Sequence, residues 1–187
     1  MGGLMQILDT PIADLKEIRT AAIRDHRGAF CRFFCAQELA PLLGRREIVQ
    51  INFSRTEKAG SLRGMHFQNA PAAEMKLVRC LKGRAYDVAV DLRPSSPTFK
   101  RWHAVELDAD RQNMIAIPEG FAHGFQALEE GCELLYLHTA AYDKSAEGGV
   151  RYDDPALAIG WPLPVRDVSE RDEGHPLIQS GFKGIIL

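Results

Sequence analysis

The side chains best suited to chemistry are two histidines, each inside a short strand-like run. His66 stands in Leu62-Arg63-Gly64-Met65-His66-Phe67-Gln68, and His123 in Ile117-Pro118-Glu119-Gly120-Phe121-Ala122-His123-Gly124-Phe125. A neutral imidazole is the side chain best poised to take a proton near pH 7. Strand alternation puts Gly64, His66 and Gln68 on one face, with Met65 and Phe67 on the other. The run Tyr86-Asp87-Val88-Ala89-Val90-Asp91-Leu92 alternates most clearly, setting Asp87, Ala89 and Asp91 opposite Tyr86, Val88, Val90 and Leu92. That acidic face either meets solvent or, in a small barrel, looks into a polar cavity. A first-row metal needs about three or four converging nitrogen or oxygen ligands. The two histidines have no obvious third donor, so the expectation is a pocket without metal or cofactor, working by acid–base chemistry or by binding alone.

These groups must be held by strands. Candidates are Ile48–Arg55, Leu62–Gln68, Lys76–Leu81, Ala85–Arg93, Trp102–Leu107, Asn113–Ile117, Gly124–Leu128 and Glu133–Thr139. Turn chemistry separates them, as in Lys58-Ala59-Gly60, Lys82-Gly83, Pro94-Ser95-Ser96-Pro97 and Glu130-Gly131. Short strands at this spacing predict an all-β sandwich or barrel. Ala36–Leu43 reads as a short helix ending at Gly44, and Ser169-Glu170-Arg171-Asp172 as a second helix start. Ile12–Arg24 fits neither the helix nor the strand period. No repeat, linker or low-complexity segment interrupts the chain, so residues 1–187 read as one domain.

Composition narrows the function classes. The 187 residues carry 23 basic and 25 acidic side chains, a formal charge of −2, with 45% hydrophobic residues. Disorder, collagen-like repeats and a polybasic nucleic-acid module are excluded. No apolar run approaches the roughly 18 residues that span a bilayer. Met1–Asp9 lacks the basic flank and apolar stretch of a signal peptide. Cys31, Cys35, Cys80 and Cys132 form no C-x-x-C pair, which fits reduced thiols in a cytoplasmic protein.

Pro118-x-Gly120-x-x-His123 resembles the second motif of the cupin barrels. The first cupin motif usually supplies His-x-His and a downstream Glu; here Gln68 follows His66, and Glu74 lies in a turn. Further segments then fall in order. They are Asp25-His26-Arg27-Gly28-Ala29-Phe30, Gln50-Ile51-Asn52-Phe53-Ser54, the Leu62–Gln68 run, Lys76-Leu77-Val78-Arg79 and the Tyr86–Leu92 run with Arg93. Ser96-Pro97-Thr98-Phe99, the His123 run, Asp153-Asp154-Pro155, Trp161-Pro162 and Ser169-Glu170-Arg171-Asp172 complete the series. Over roughly residues 10–173 this set resembles the dTDP-4-dehydrorhamnose 3,5-epimerase family.

The resemblance implies a cupin-type jelly-roll barrel with a few short helices, acting as a homodimer without metal. It also implies epimerisation of a nucleotide-diphosphate-linked 4-keto-6-deoxysugar, by proton abstraction beside the ketone and reprotonation from the opposite face. His66 matches the base and Asp172 its dyad partner, with Asp87 a second acid near the same histidine. Lys76 matches the cation that stabilises the enolate, and Tyr142 the proton donor. Arg63 and, across the dimer, Arg27 match diphosphate contacts; Phe30 belongs to the same substrate-binding set. Gln50, Asn52 and His123 match positions lining the sugar or nucleotide site. The chain departs from the family at Arg32, where Glu is usual, at Ala141, where a tyrosine is usual, and at Lys144 in place of Pro. Those departures also fit epimerisation at C3 alone, or a non-catalytic sugar-nucleotide-binding cupin. Gly174–Leu187 takes no part in the match.

Overall fold

In the computed structural model, which describes residues 4–185 and 187, the alternating runs build two antiparallel sheets whose inner faces pack together. The first strands are β1 (Met5–Asp9), β2 (Lys16–Thr20), β3 (Ile23–Asp25) and β4 (Gly28–Phe30). After α1 (Ala40–Leu43) come β5 (Gln50–Thr56), β6 (Leu62–Gln68), β7 (Lys76–Lys82), β8 (Arg84–Asp91) and β9 (Trp102–Asp108). Next follow β10 (Asn113–Ile117), β11 (Phe121–Ala127), β12 (Cys132–His138), β13 (Glu147–Gly149) and α2 (Glu170–Glu173). One sheet has the order β1-β2-β10-β7-β12-β5 and the other β13-β6-β11-β8-β9; β3 and β4 form a separate hairpin. The non-sequential neighbours are those of a jelly roll, the fold expected of the chain.

Each of the eight expected strands is present with ends shifted by a few residues, the largest shift being β11, which starts at Phe121. The ambiguous Ile12–Arg24 stretch contains strand β2 and the start of the hairpin. The helix expected over Ala36–Leu43 is regular only from Ala40, and ends at Gly44 with φ +60°. Ser169 does cap α2, accepting the Asp172 backbone N–H at 3.1 Å.

Period-two alternation fills the space between the sheets with Val78, Ile115, Ile117 and Leu134 from one side and Ala85, Ala89, Leu107 and Phe125 from the other. Burying each large aliphatic side chain there stabilises the fold by about 1.5–3 kcal/mol. Both faces of β8 are buried, because residues 150–185 fold back over the second sheet. Leu157, Ile178, Phe182 and Ile185 pack there on Val88, Val90 and Leu92. The C-terminal segment, unmatched in the sequence reading, is thus an outer cover. Leu39 and Leu43 cover the first sheet through Leu77, Met114 and Leu137. The outer face of β5 stays uncovered, with Ile51 61% and Phe53 57% exposed.

Candidate active site

Between β5 and β12 of one sheet and β6 and β11 of the other lies a cleft of about 1260 Å³. Strand register decides which side chains enter it. On the second sheet His66 of β6 pairs with His123 of β11, so both rings point to the same side. The β6–β11 register shifts between His123 and Phe125, and Arg63 therefore reaches the cleft despite its opposite parity to His66. Gly64 permits this approach: at φ +131°, a Cβ there would lie 2.5 Å from Gly124 Cα. On the first sheet Lys76 pairs with His138, which pairs with Gln50, and two residues along Val78 pairs with Tyr136, which pairs with Asn52. An imidazole on one wall therefore faces an ammonium and a phenol on the other.

His66 Nε2 lies 2.8 Å from Asp172 Oδ1, while Asp172 Oδ2 accepts the Gly64 backbone N–H at 3.0 Å. Burial works to raise the Asp172 pKa, but His66, the Gly64 N–H and the Ser169 hydroxyl outweigh it and hold the carboxyl well below the usual range. An ionised Asp172 fixes the His66 proton on Nε2 and leaves the lone pair on Nδ1. Arg171 Nη2 stands 2.9 Å from the same Nε2, but with both nitrogens bearing hydrogen the two groups are joined through their shared acceptor, Asp172 Oδ1, 3.2 Å from Arg171 Nε, and Glu147 anchors the guanidinium at 3.1 Å. Beside this dyad His123 Nε2 sits 2.9 Å from Asp87 Oδ2, with Asp87 fully buried. Burial pushes the Asp87 carboxyl up, against the pull of His123. Asp87 was expected near His66; it pairs with His123 instead, because β8 adjoins β11 and not β6.

On the opposite wall Lys76 Nζ meets Glu74 Oε1 at 3.0 Å, and Glu74 Oε2 meets His138 Nδ1 at 2.6 Å. Burial tends to raise the Glu74 pKa, yet His138 and Lys76 prevail and keep it below its ordinary value. The Tyr136 hydroxyl lies 2.9 Å from Ser54 Oγ, and burial pushes the phenol well up. Its ring stands edge-on to His123 with centroids 6.4 Å apart.

Of the residues expected from sequence, His66, Lys76, Asp172, Asn52, Arg63, His123 and Tyr142 line the cleft, and Asp87 supports it from behind. Tyr142 lies at the rim, 53% exposed, donating to Glu147 Oε2 at 3.2 Å. Gln50 stands beside it, accepting the Tyr142 backbone N–H at 3.0 Å. Arg27 and Phe30 are not in the cleft: both sit on the exposed β3–β4 hairpin, where Arg27 pairs with Asp25. Sequence reading missed Tyr136 and His138, which share the parity of the cavity face in β12. It also missed Glu147, Arg171 and His175. His175 changes the count of metal donors: one ligand atom each from His66, Asp172 and His175 falls within 4.8 Å of the others.

A jelly roll whose two sheets enclose paired acid–base groups is a cupin-type barrel built for proton transfer. Comparison with known proteins narrows this further. A family model described as dTDP-4-dehydrorhamnose 3,5-epimerase matches residues 9–180. A relative of that name from Salmonella typhimurium is 41% identical over 181 residues, 96% of this chain and 98% of its own. The crystal structure of dTDP-6-deoxy-D-glucose-3,5-epimerase from Legionella pneumophila, in complex with dTDP-4-keto-L-rhamnose, superposes with a TM-score of 0.87 at 41% identity, covering 92% of each chain. A 3′-monoepimerase from Streptomyces bikiniensis gives a TM-score of 0.84 at 30% identity, over 90% of this chain and 85% of that one. It was crystallised with dTDP as a double mutant, a histidine changed to asparagine and a tyrosine seventy positions on changed to phenylalanine. The chain belongs to the dTDP-4-dehydrorhamnose 3,5-epimerase family.

Proposed function

We propose that the chain is an epimerase of a nucleotide-linked 4-keto-6-deoxysugar, with His66 as base and Tyr136 as the acid across the ring. The observation that carries this reading is the placement of imidazole and phenol on opposing sheets. A carbon is inverted only if the proton leaves one face and another arrives on the other. His66 Nδ1 takes the proton beside the ketone, and the ionised Asp172 stabilises the imidazolium that forms. The electron pair moves onto the ketone oxygen, where the Lys76 ammonium stabilises the enolate. Tyr136, kept protonated by its raised pKa, returns a proton to the far face, and solvent restores both groups. His66 and Tyr136 are seventy residues apart, the separation of the two residues replaced in the Streptomyces bikiniensis enzyme. Tyr142, the expected donor, belongs on this reading to the rim that encloses the sugar.

Arg63 holds the diphosphate, and Arg27 and Phe30 complete the nucleotide site of a partner subunit. The uncovered apolar face of β5 and the exposed hairpin support a homodimer, since Ile23, Phe30, Ile51 and Phe53 are each more than half exposed. No described helix is long and apolar enough to cross a membrane. Four unpaired cysteines support the cytoplasm as its compartment. Epimerisation at C3 alone is the second reading, favoured by Ala141 where a tyrosine is usual. The test is a screen of dTDP-, CDP-, UDP- and GDP-linked 4-keto-6-deoxysugars for deuterium wash-in from solvent. Wash-in at C3 and C5 of the dTDP sugar is expected. Wash-in at C3 only selects the second reading, and binding without exchange at either carbon refutes both.

A further inference from the structure

We infer that His66, Asp172 and His175 form a zinc-binding site in the cleft, through which zinc silences the chain. Two nitrogens and a carboxylate oxygen are the donor set of three-ligand zinc sites, which leave a fourth position for water. The His66 and Asp172 donors stand 2.8 Å apart, and all three ligand atoms lie within 4.8 Å of one another. In a tetrahedral site with bonds of about 2.0–2.1 Å, ligand atoms are about 3.3 Å apart. A small side-chain adjustment therefore converts the observed spacing into coordination geometry.

Three further observations point to a ligand here. His175 Nε2 is buried and has no hydrogen-bond partner, a polar atom left without a use in the protein. The backbone makes room for that ring: a Cβ on Gly149 would lie 2.5 Å from His175 Cε1. The His175 ring also stands edge-on to His66, with ring centroids 5.6 Å apart. Arg171 opposes a cation here, its Nη2 lying 2.9 Å from His66 Nε2. Its side chain is 54% exposed and also paired to Glu147, so it has an alternative position as the metal enters. Zinc held there takes the Nε2 lone pair of His66, whose proton moves to Nδ1, so the nitrogen that would abstract the substrate proton is occupied and proton abstraction stops. The silencing rests on His66 being the base; the binding does not.

The test titrates zinc-free wild-type chain with zinc chloride, followed by calorimetry and, in parallel, by solvent-deuterium exchange into the substrate. His175→Phe is the comparison, because it keeps an aromatic ring against His66 and removes the donor atom. The expected result is one zinc per chain, loss of exchange in step with occupancy, and recovery on adding EDTA. His175→Phe should exchange normally without zinc and bind it at least tenfold more weakly. Equal zinc affinity in the two proteins, or no stoichiometric binding by wild type, overturns the site. Cobalt(II) on wild type gives a readout independent of the variant's folding: intense visible bands of a low-coordinate centre support the site, and the pale spectrum of hydrated cobalt refutes it. Zinc binding that leaves exchange untouched upholds the site and overturns His66 as the base.

Discussion

Replacing Tyr136 by Phe removes one oxygen and leaves the ring between His123 and His138 in place. The structural cost is one hydrogen bond, to Ser54 Oγ at 2.9 Å. A neutral pair of that kind contributes about 0.5–1.5 kcal/mol, a shift of only a few degrees in Tm for a chain of this size. The catalytic cost is far larger, because a positioned acid contributes about 10²–10⁴-fold, or roughly 2.7–5.5 kcal/mol of barrier. Tyr142→Phe loses an exposed bond to Glu147 at 3.2 Å, and should slow the reaction about tenfold or less. The assay follows deuterium wash-in and inverted product separately, by mass spectrometry and NMR. Tyr136→Phe should retain wash-in at the face served by His66 and lose inverted product by about 10²–10⁴-fold. A larger loss of product in Tyr142→Phe than in Tyr136→Phe would refute the assignment and restore the rim tyrosine as acid.

Three further outcomes follow from the geometry. Asp172 has a folded pKa below its unfolded value of 3.8, so its stabilisation is fully present above that value and is lost as pH falls toward the folded one. The Tm gap between wild type and Asp172→Asn should therefore be widest above about pH 5 and narrow below about pH 4; a gap constant from pH 3 to 7, by calorimetry, would contradict this. Gly64→Ala puts a Cβ 2.5 Å from Gly124 Cα and 2.9 Å from the His123 carbonyl at a positive φ, and should destabilise by about 2–4 kcal/mol in denaturant unfolding. Unchanged stability would mean the β6–β11 contact is looser than described. Phe53→Asp on the uncovered face of β5 should halve the mass seen by light scattering, whereas an unaltered mass would place the subunit interface elsewhere.

The strands around the cleft were legible because each alternates apolar and polar residues between turn signals, as Tyr86–Leu92 does. β1 and β2 were not, since an edge pair with one covered face leaves a weak pattern: in Lys16–Thr20 only Ile18 and Thr20 are buried. The β3–β4 hairpin buries nothing within the chain, so it has no periodic face to read. His66, Lys76 and Asp172 could be assigned through ordered motifs, and the fold brings all three to one cleft. Tyr136 was lost among Leu134, Leu135 and Leu137, where an aromatic reads as one more packed residue. Which tyrosine faces the imidazole depends on strand pairing between residues far apart in sequence. His175 lies in an irregular stretch, and only the folding of the C-terminal segment over the second sheet brings it to the dyad.

Proton removal by the His66 imidazole is tested most directly by His66→Ala in deuterium oxide, with the substrate that wild type exchanges. Uptake of deuterium beside the ketone should fall to the level of a protein-free control, while the folded state, checked by circular dichroism, is retained. Uptake at the wild-type rate would mean that another group removes the proton, and the mechanism built on the His66–Asp172 pair would be wrong.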